Sequence, residues 1–154
     1  MLTYRVPQRK VKVLVHMRQG KPLLGDFFVP ESGPGGAPAR LIDRLSDPKD
    51  RFLALVQEDG SRLVSHDWIL RVEVLSEADA GLEIEPGACD PILVSCHLAD
   101  GNVLEGTMAF AMPPGRQRLI DYINSIAHNG FVPMRAGKTL SLVHLRHVID
   151  WAAR

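Results

Sequence analysis

The chain has 154 residues, 45% of them hydrophobic and 23% charged, a globular composition that excludes wholesale disorder. Its 18 basic and 18 acidic residues cancel, so no global field draws it toward nucleic acid or an anionic membrane. The terminus MLTYRVPQRK lacks the apolar region of a signal peptide and no apolar run reaches membrane-span length, so the expected setting is the cytoplasm, off the membrane, with Cys89 and Cys96 as free thiols.

Charge is uneven along the chain. Residues 1–25 carry Arg5, Arg9, Lys10, Lys12, Arg18 and Lys21 and no acid. Within them VKVLVHM (11–17) sets Val11, Val13, Val15 and Met17 on one face, at the strand period of two. Lys10 and Lys12 fall on the opposite, solvent face. There they guard a sheet edge against aggregation, or join Arg9 in contacting phosphate, or meet the acidic stretch at 76–90. Gln19-Gly20 is a hairpin signal, and PLLGDFFV (22–29) returns with Leu23, Gly25, Phe27 and Val29 on one face. A glycine inside a strand marks a bulge, a bend or a close backbone approach.

A Pro/Gly loop, PESGPGGAPA, leads into RLIDRLS. Here Leu41, Ile42 and Leu45 fit one side of a short helix, and Ser46-Asp47-Pro48 stops it. RFLALVQ (51–57) reads as a third strand and SRLVSHDWILRVEVL as a last one, straight or bent in two. Residues 76–90 then hold Glu77, Asp79, Glu83, Glu85 and Asp90 and no base, and read as a linker.

The same grammar then repeats. Gly20-Lys-Pro-Leu-Leu-Gly25 recurs eighty-one positions later as Gly101-Asn-Val-Leu-Glu-Gly106, with His16 mapping onto His97 and Val13 onto Val94. Arg40-Leu-Ile-Asp43 recurs as Arg118-Leu-Ile-Asp121, Phe52 as Phe131 and Gly60 as Gly137. ILVSCHL (92–98) and VLEGTMAFA (103–111) form the second hairpin, joined at Asp100-Gly101. Leu119, Ile120, Ile123 and Ile126 line the second helix, which Asn129-Gly130 ends. GFVPM (130–134), with Pro133 marking an edge or bulged strand, and KTLSLVHLRHVIDW close the copy.

The expected fold is therefore mainly β (α+β): a tandem duplication of a β-β-α-β-β unit, barrel-like or strongly coiled, with pseudo-twofold symmetry. The units span 1–75 and 91–154, with 76–90 between them. A unit this small buries too little surface alone, so the copies should pack together through equivalent faces, or each on another chain. The expected core is Val13, Val15, Phe27, Leu41, Leu45, Phe52, Val94, Leu98, Met108, Leu119, Ile123 and Phe131.

The stretch from Val94 through Gly101-Asn-Val-Leu-Glu-Gly106 to Asp121-Tyr-Ile-Asn124 resembles the first motif of Sm-like small β-barrels. Ile69-Leu-Arg-Val72 and Val148-Ile-Asp-Trp151 resemble that family's last strand. The link from the second glycine to the aspartate is longer here, and the first copy has Ser46 where Asn124 stands in the second. The resemblance implies RNA binding through the aspartate and asparagine loop, usually in a ring of subunits.

Arg40–Asp43 and Arg118–Asp121 are three apart, a spacing that puts ion-pair partners side by side on a helix. They either tie down the helix or form equivalent ligand contacts. His16 and His97 face away from the valines and are too few for a zinc site. His144 and His147, three apart in a strand, would face opposite sides. Ala136-Gly-Lys-Thr139 lacks the first glycine of a phosphate loop and leads into strand, not helix. No nucleophile motif or repeated acid pair stands out, and neither a cofactor nor a metal is expected. The reading is a non-enzymatic binding or regulatory module that meets a protein partner or itself. An RNA-binding Sm-like protein is the alternative, and an enzyme without a visible motif the third. The candidate contacts are Arg9, Lys10, Lys12, Arg40, Asp43, Arg118, Asp121 and Asn124.

Overall fold

A computed structural model describes residues 8–31, 39–46, 49–81, 88–113, 115 and 118–153. The loop Gly33-Pro-Gly-Gly36 and most of the acidic stretch at 82–87 lie outside the described residues. The fold is mainly β. The first series of elements is β1 (Gln8–Met17), β2 (Leu23–Pro30), α1 (Leu41–Ser46), β3 (Phe52–Gln57), β4 (Gly60–Ser65), a single 3-10 turn (His66–Trp68) and β5 (Ile69–Val74). After α2 (Glu77–Ala80) come β6 (Ile92–Leu98), β7 (Val103–Met108), α3 (Leu119–Ser125), β8 (Phe131–Ala136), β9 (Thr139–His144), a second 3-10 turn (Leu145–His147) and β10 (Val148–Ala153). Each closing strand is thus bent in two. Among the described residues, no helix is long and apolar enough to cross a membrane.

The period-two pattern does in β1 what it predicts: Val11, Val13 and Val15 are fully buried between exposed or half-buried neighbours. Val13 pairs with Gly25 in the first hairpin and Val94 with Gly106 in the second. Both glycines permit close backbone approach. A Cβ at Gly25 would lie 2.7 Å from the Val56 carbonyl oxygen, and one at Gly106 would lie 2.1 Å from that of Arg135. At these corners β2 meets β3 in the single pair Asp26↔Val56, and β7 meets β8 in Thr107↔Arg135. The sheet turns sharply at the same place in both halves. Pro133 lies in β8, which is interior by strand order, and its pairing with β7 is confined to that one position.

All ten strands of the described residues join in one antiparallel sheet, ordered β10-β6-β7-β8-β9-β5-β1-β2-β3-β4. Each half contributes the order fifth, first, second, third, fourth. The halves meet through β5 and β9, in register from Arg71↔Val143 to Val74↔Leu140. This corrects one expectation: equivalent faces do not meet. The fifth strand of the first half meets the fourth strand of the second, so the contact runs head to tail.

That joint redistributes the core. One cluster gathers Val13, Val15, Phe27, Leu41, Leu45 and Val72 from the first half, and takes in Phe131 and Leu142 from the second. The other gathers Val94, Cys96, Leu98, Met108, Val132 and Val143. Of the expected core residues, Phe52 is exposed, and Leu119 and Ile123 only flank the second cluster, half-buried. The reason lies in the joint: α1 is covered by β8 and buries Leu41, Ile42 and Leu45, whereas α3 buries no residue fully.

Candidate functional site

The anticipated contact residues divide into structural fasteners and open surface. Arg9 spends its guanidinium on three backbone carbonyls, donating to Pro30 at 3.2 Å and to Ala39 and Asp79. The basic strand therefore does meet the 76–90 stretch, but through main chain rather than carboxylates. Lys12 hydrogen-bonds there too, its backbone N–H donating to Ser76 Oγ at 3.0 Å, while its side chain is exposed. Lys10 is exposed, its ammonium 6.0 Å from the Phe28 ring centre. Arg40 grips Asp43 with two bonds of 2.9 and 3.0 Å at the start of α1. Arg118 grips Asp121 at 3.1 and 3.3 Å, and its backbone N–H also donates to that carboxylate, capping α3. Asn124 is exposed at the end of α3.

The two matched histidines do not share a partner. His16 Nε2 lies 2.7 Å from Glu73, and His97 Nδ1 lies 2.6 Å from Asp150. Burial, then the nearby Arg71 charge, hold the His16 pKa below its ordinary value despite Glu73. Cys96 is buried on the core face, and burial pushes its thiol up to about 11. Both cysteines are free.

The densest polar chemistry lies at the β5–β9 joint. Arg71 reaches across the ladder to Ser141 Oγ at 3.0 Å and pairs with Glu73 at 3.0 Å. The two 3-10 turns face each other: Arg146 donates to the Asp67 carboxylate at 3.0 Å, and His147 Nε2–H donates to the Asp67 carbonyl. His66 Nε2–H donates to the Leu45 carbonyl at 2.6 Å, and His144 Nδ1–H to the Ile69 carbonyl at 2.8 Å. The ring of Phe131 stacks on His144 with centres 4.3 Å apart, while His66 and His147 approach His144 edge-on at 4.9 and 5.2 Å. The expectation that His144 and His147 face opposite sides is thereby corrected. The 3-10 turn between them rotates His147 back toward its neighbour.

Donation by Nδ1 leaves His144 Nε2 as a buried lone pair with no hydrogen-bond partner. Burial is the chief cause that lowers the His144 pKa to about 4, with the charges of His66, His147 and Arg146 adding to it. His147 is lowered in the same direction, also mainly by burial. The lowered values keep His144 and His147 neutral near pH 7, and the three rings together seal the joint. From α2, Glu77 adds a clamp onto β8 by accepting from Arg135 at 2.5 Å, which holds the Glu77 carboxyl below its usual range.

The repeat places a second set of these surfaces at the ends of the sheet. β4 is equivalent to β9 and β10 to β5, yet among the described residues β4 pairs only with β3 and β10 only with β6. Leu142 is fully buried and its equivalent Leu63 is 67% exposed; Leu70 is 1% exposed and its equivalent Ile149 is 69%. Sequence reasoning missed Leu63, Ile149, Asp67, Arg146 and the histidine trio. The offset of 79 that joins Phe52 to Phe131, carried into the following strands, pairs Leu63 with Leu142 and Leu70 with Ile149, but nothing in that pairing says which member is covered. A recess of about 240 Å³ between Phe27, Phe28, Arg44 and Leu53 opens beside β2 and gathers no cluster of titratable groups. Compared with known proteins, the chain matches no family model, no curated protein and no solved structure.

Proposed function

We propose that the protein is a non-catalytic binding module that engages another polypeptide by strand addition at the ends of its sheet. One observation carries this reading: among the described residues the sheet ends in β4 and β10, each paired on one side only and each bearing a large apolar side chain, Leu63 or Ile149, turned to solvent. Unpaired edges expose rows of backbone donors and acceptors, and proteins that do not use them blunt them. Adding a strand satisfies those groups, and the flanking side chains supply selectivity. A photoreactive benzoylphenylalanine at position 63 or 149 tests this in cells making the full chain. Polypeptide adducts are expected at both positions and not at Leu93, which is 58% exposed on β6, a strand paired on both sides. Adducts absent from 63 and 149, or equally strong at 93, overturn it.

A second reading, RNA binding, is favoured by exposed aromatic rings beside cations. Arg18 lies 5.7 Å from the Trp68 ring centre and Arg51 lies 5.9 Å from that of Phe52. Single-stranded nucleic acid is held by such stacking platforms next to positive charge. The Sm-like resemblance through Asp121 and Asn124 belongs with this reading, although the Asp121 carboxylate is engaged by Arg118. Retention of mixed RNAs at low salt, weakening steeply as salt rises, is the expected sign. No retention at low salt ends this reading.

A further inference from the structure

We infer that β4 of one chain pairs with β10 of a second copy, repeating between chains the joint that β9 and β5 make within one. The inference rests on the strand-addition reading and names its partner. Its ground is an imbalance between equivalent positions. At the internal joint, Leu142 and Phe131 of the second half enter the core of the first, 0% and 2% exposed. Their equivalents Leu63 and Phe52 project from the first half, 67% and 50% exposed, and enter neither core cluster of the described residues. The receiving side shows the same imbalance. Ile42 and Leu70 are 9% and 1% exposed at the internal joint, while their equivalents Ile120 and Ile149 are 58% and 69% exposed. These are projections at one end and a vacant receiving surface at the other, so the fit is heterologous rather than twofold.

Shifting the β5·β9 register by the repeat offset sets Trp151 opposite the partner's Leu63 and Ala152 opposite the partner's Arg62. Trp151 and Leu63 then stand where Val72 and Leu142 meet in the internal core. The polar contact transposes as well. Arg71 bonds Ser141 diagonally at the internal joint; the equivalent residues are Asp150 and Arg62, an acid and a base. A strand-edge pairing between copies thus brings apolar to apolar and opposite charges together. Setting β4 against β4 offers Arg62 no acidic partner, because Gly60–Ser65 carries none.

Light scattering during gel filtration of the full chain tests the inference. The wild type is expected at a mass above that of the 17.0 kDa chain, and Leu63→Arg or Ile149→Arg alone at the single-chain mass. Both side chains are exposed in the single chain, so neither substitution disturbs its core. Leu63→Arg leaves β10 intact and Ile149→Arg leaves β4 intact. An equimolar mixture should therefore form a complex of two chains, about 34 kDa from 17.0 kDa each, and go no further. A wild type that stays single at about 100 μM, or variants that fail to complement on mixing, overturns the pairing; if residue 63 still crosslinks a different polypeptide, strand addition survives without it.

Discussion

The internal joint and the two free ends are built from equivalent positions and differ in almost every physical respect. At the joint, β9 completes the first core, Phe131 closes over the histidines and α1 lies covered. At the ends, the same positions carry Leu63, Phe52, Ile120 and Ile149 in the open. The difference teaches that burial in this protein follows from neighbours outside the unit. A half that lacks the next half's third and fourth strands keeps its helix only partly packed, as α3 does.

Substitutions at matched positions sharpen the contrast. The largest effect is expected at Leu142. Replacing it by alanine opens a cavity in a closed core and should cost about 2–5 kcal/mol in urea unfolding, whereas Leu63→Ala, measured dilute enough for single chains, should stay within about 0.5 kcal/mol. Equal costs would mean that the joint is no better packed than the ends.

The corner glycines come next. A methyl at Gly106 meets backbone of Arg135 rather than a movable side chain, so Gly106→Ala should destabilise by about 1–3 kcal/mol. Gly25→Ala, with an approach of 2.7 Å against 2.1 Å, should cost less. The reverse order would show that the two corners are not built alike.

The histidine trio makes the joint sensitive to acid. His144 has a folded-state pKa near 4, below the ordinary 6.5, so the unfolded chain binds more protons between these values. Stability conferred by the neutral ring is complete above pH 6.5 and is lost as pH falls toward 4. The loss should be on the order of 2 kcal/mol, read as a falling urea midpoint. Because His144 bonds the Ile69 carbonyl where β5 begins, amide exchange should accelerate first in β5 and β9. In His144→Leu the slope between pH 6.5 and 4 should flatten; an unchanged slope would assign the acid sensitivity elsewhere.

The smallest effect separates Ser46 from Asn124, the residues that differ beyond the twice-written Arg-Leu-Ile-Asp. Ser46 Oγ accepts the backbone N–H of Phe131 at 3.1 Å and so helps fasten the joint. Ser46→Ala should cost about 1 kcal/mol, and Asn124→Ala, at an exposed site, within about 0.5 kcal/mol. If Asn124→Ala instead weakens assembly, its side chain acts between chains.

Much of this was legible in the residues. Alternation of valines in β1, the hairpin signals at Gly20 and Gly101 and the helix faces of Leu41 and Leu119 are local patterns, and local patterns carry secondary structure. The Arg40–Asp43 and Arg118–Asp121 pairs were readable because a helix brings positions three apart together. The exposure of Phe52 was not. It holds the repeat position of the buried Phe131, and it lies outside because no further strand flanks β4 among the described residues. The joint escaped for the same reason, since its paired positions lie at least sixty-six residues apart, from Val74 with Leu140 to Arg71 with Val143. A prediction of equivalent faces meeting assumed twofold packing, when a fourth strand seeking a fifth gives a head-to-tail joint.

The sequence by itself determined the duplicated unit, its strands, its helices and its turning glycines, because each rests on periodicity or on backbone freedom within a few residues. Only the tertiary structure decided which copy's edge is closed and which is open. That choice depends on how a bent sheet presents its fourth and fifth strands in space, and no local pattern in Leu142 or Leu63 distinguishes the buried leucine from the exposed one.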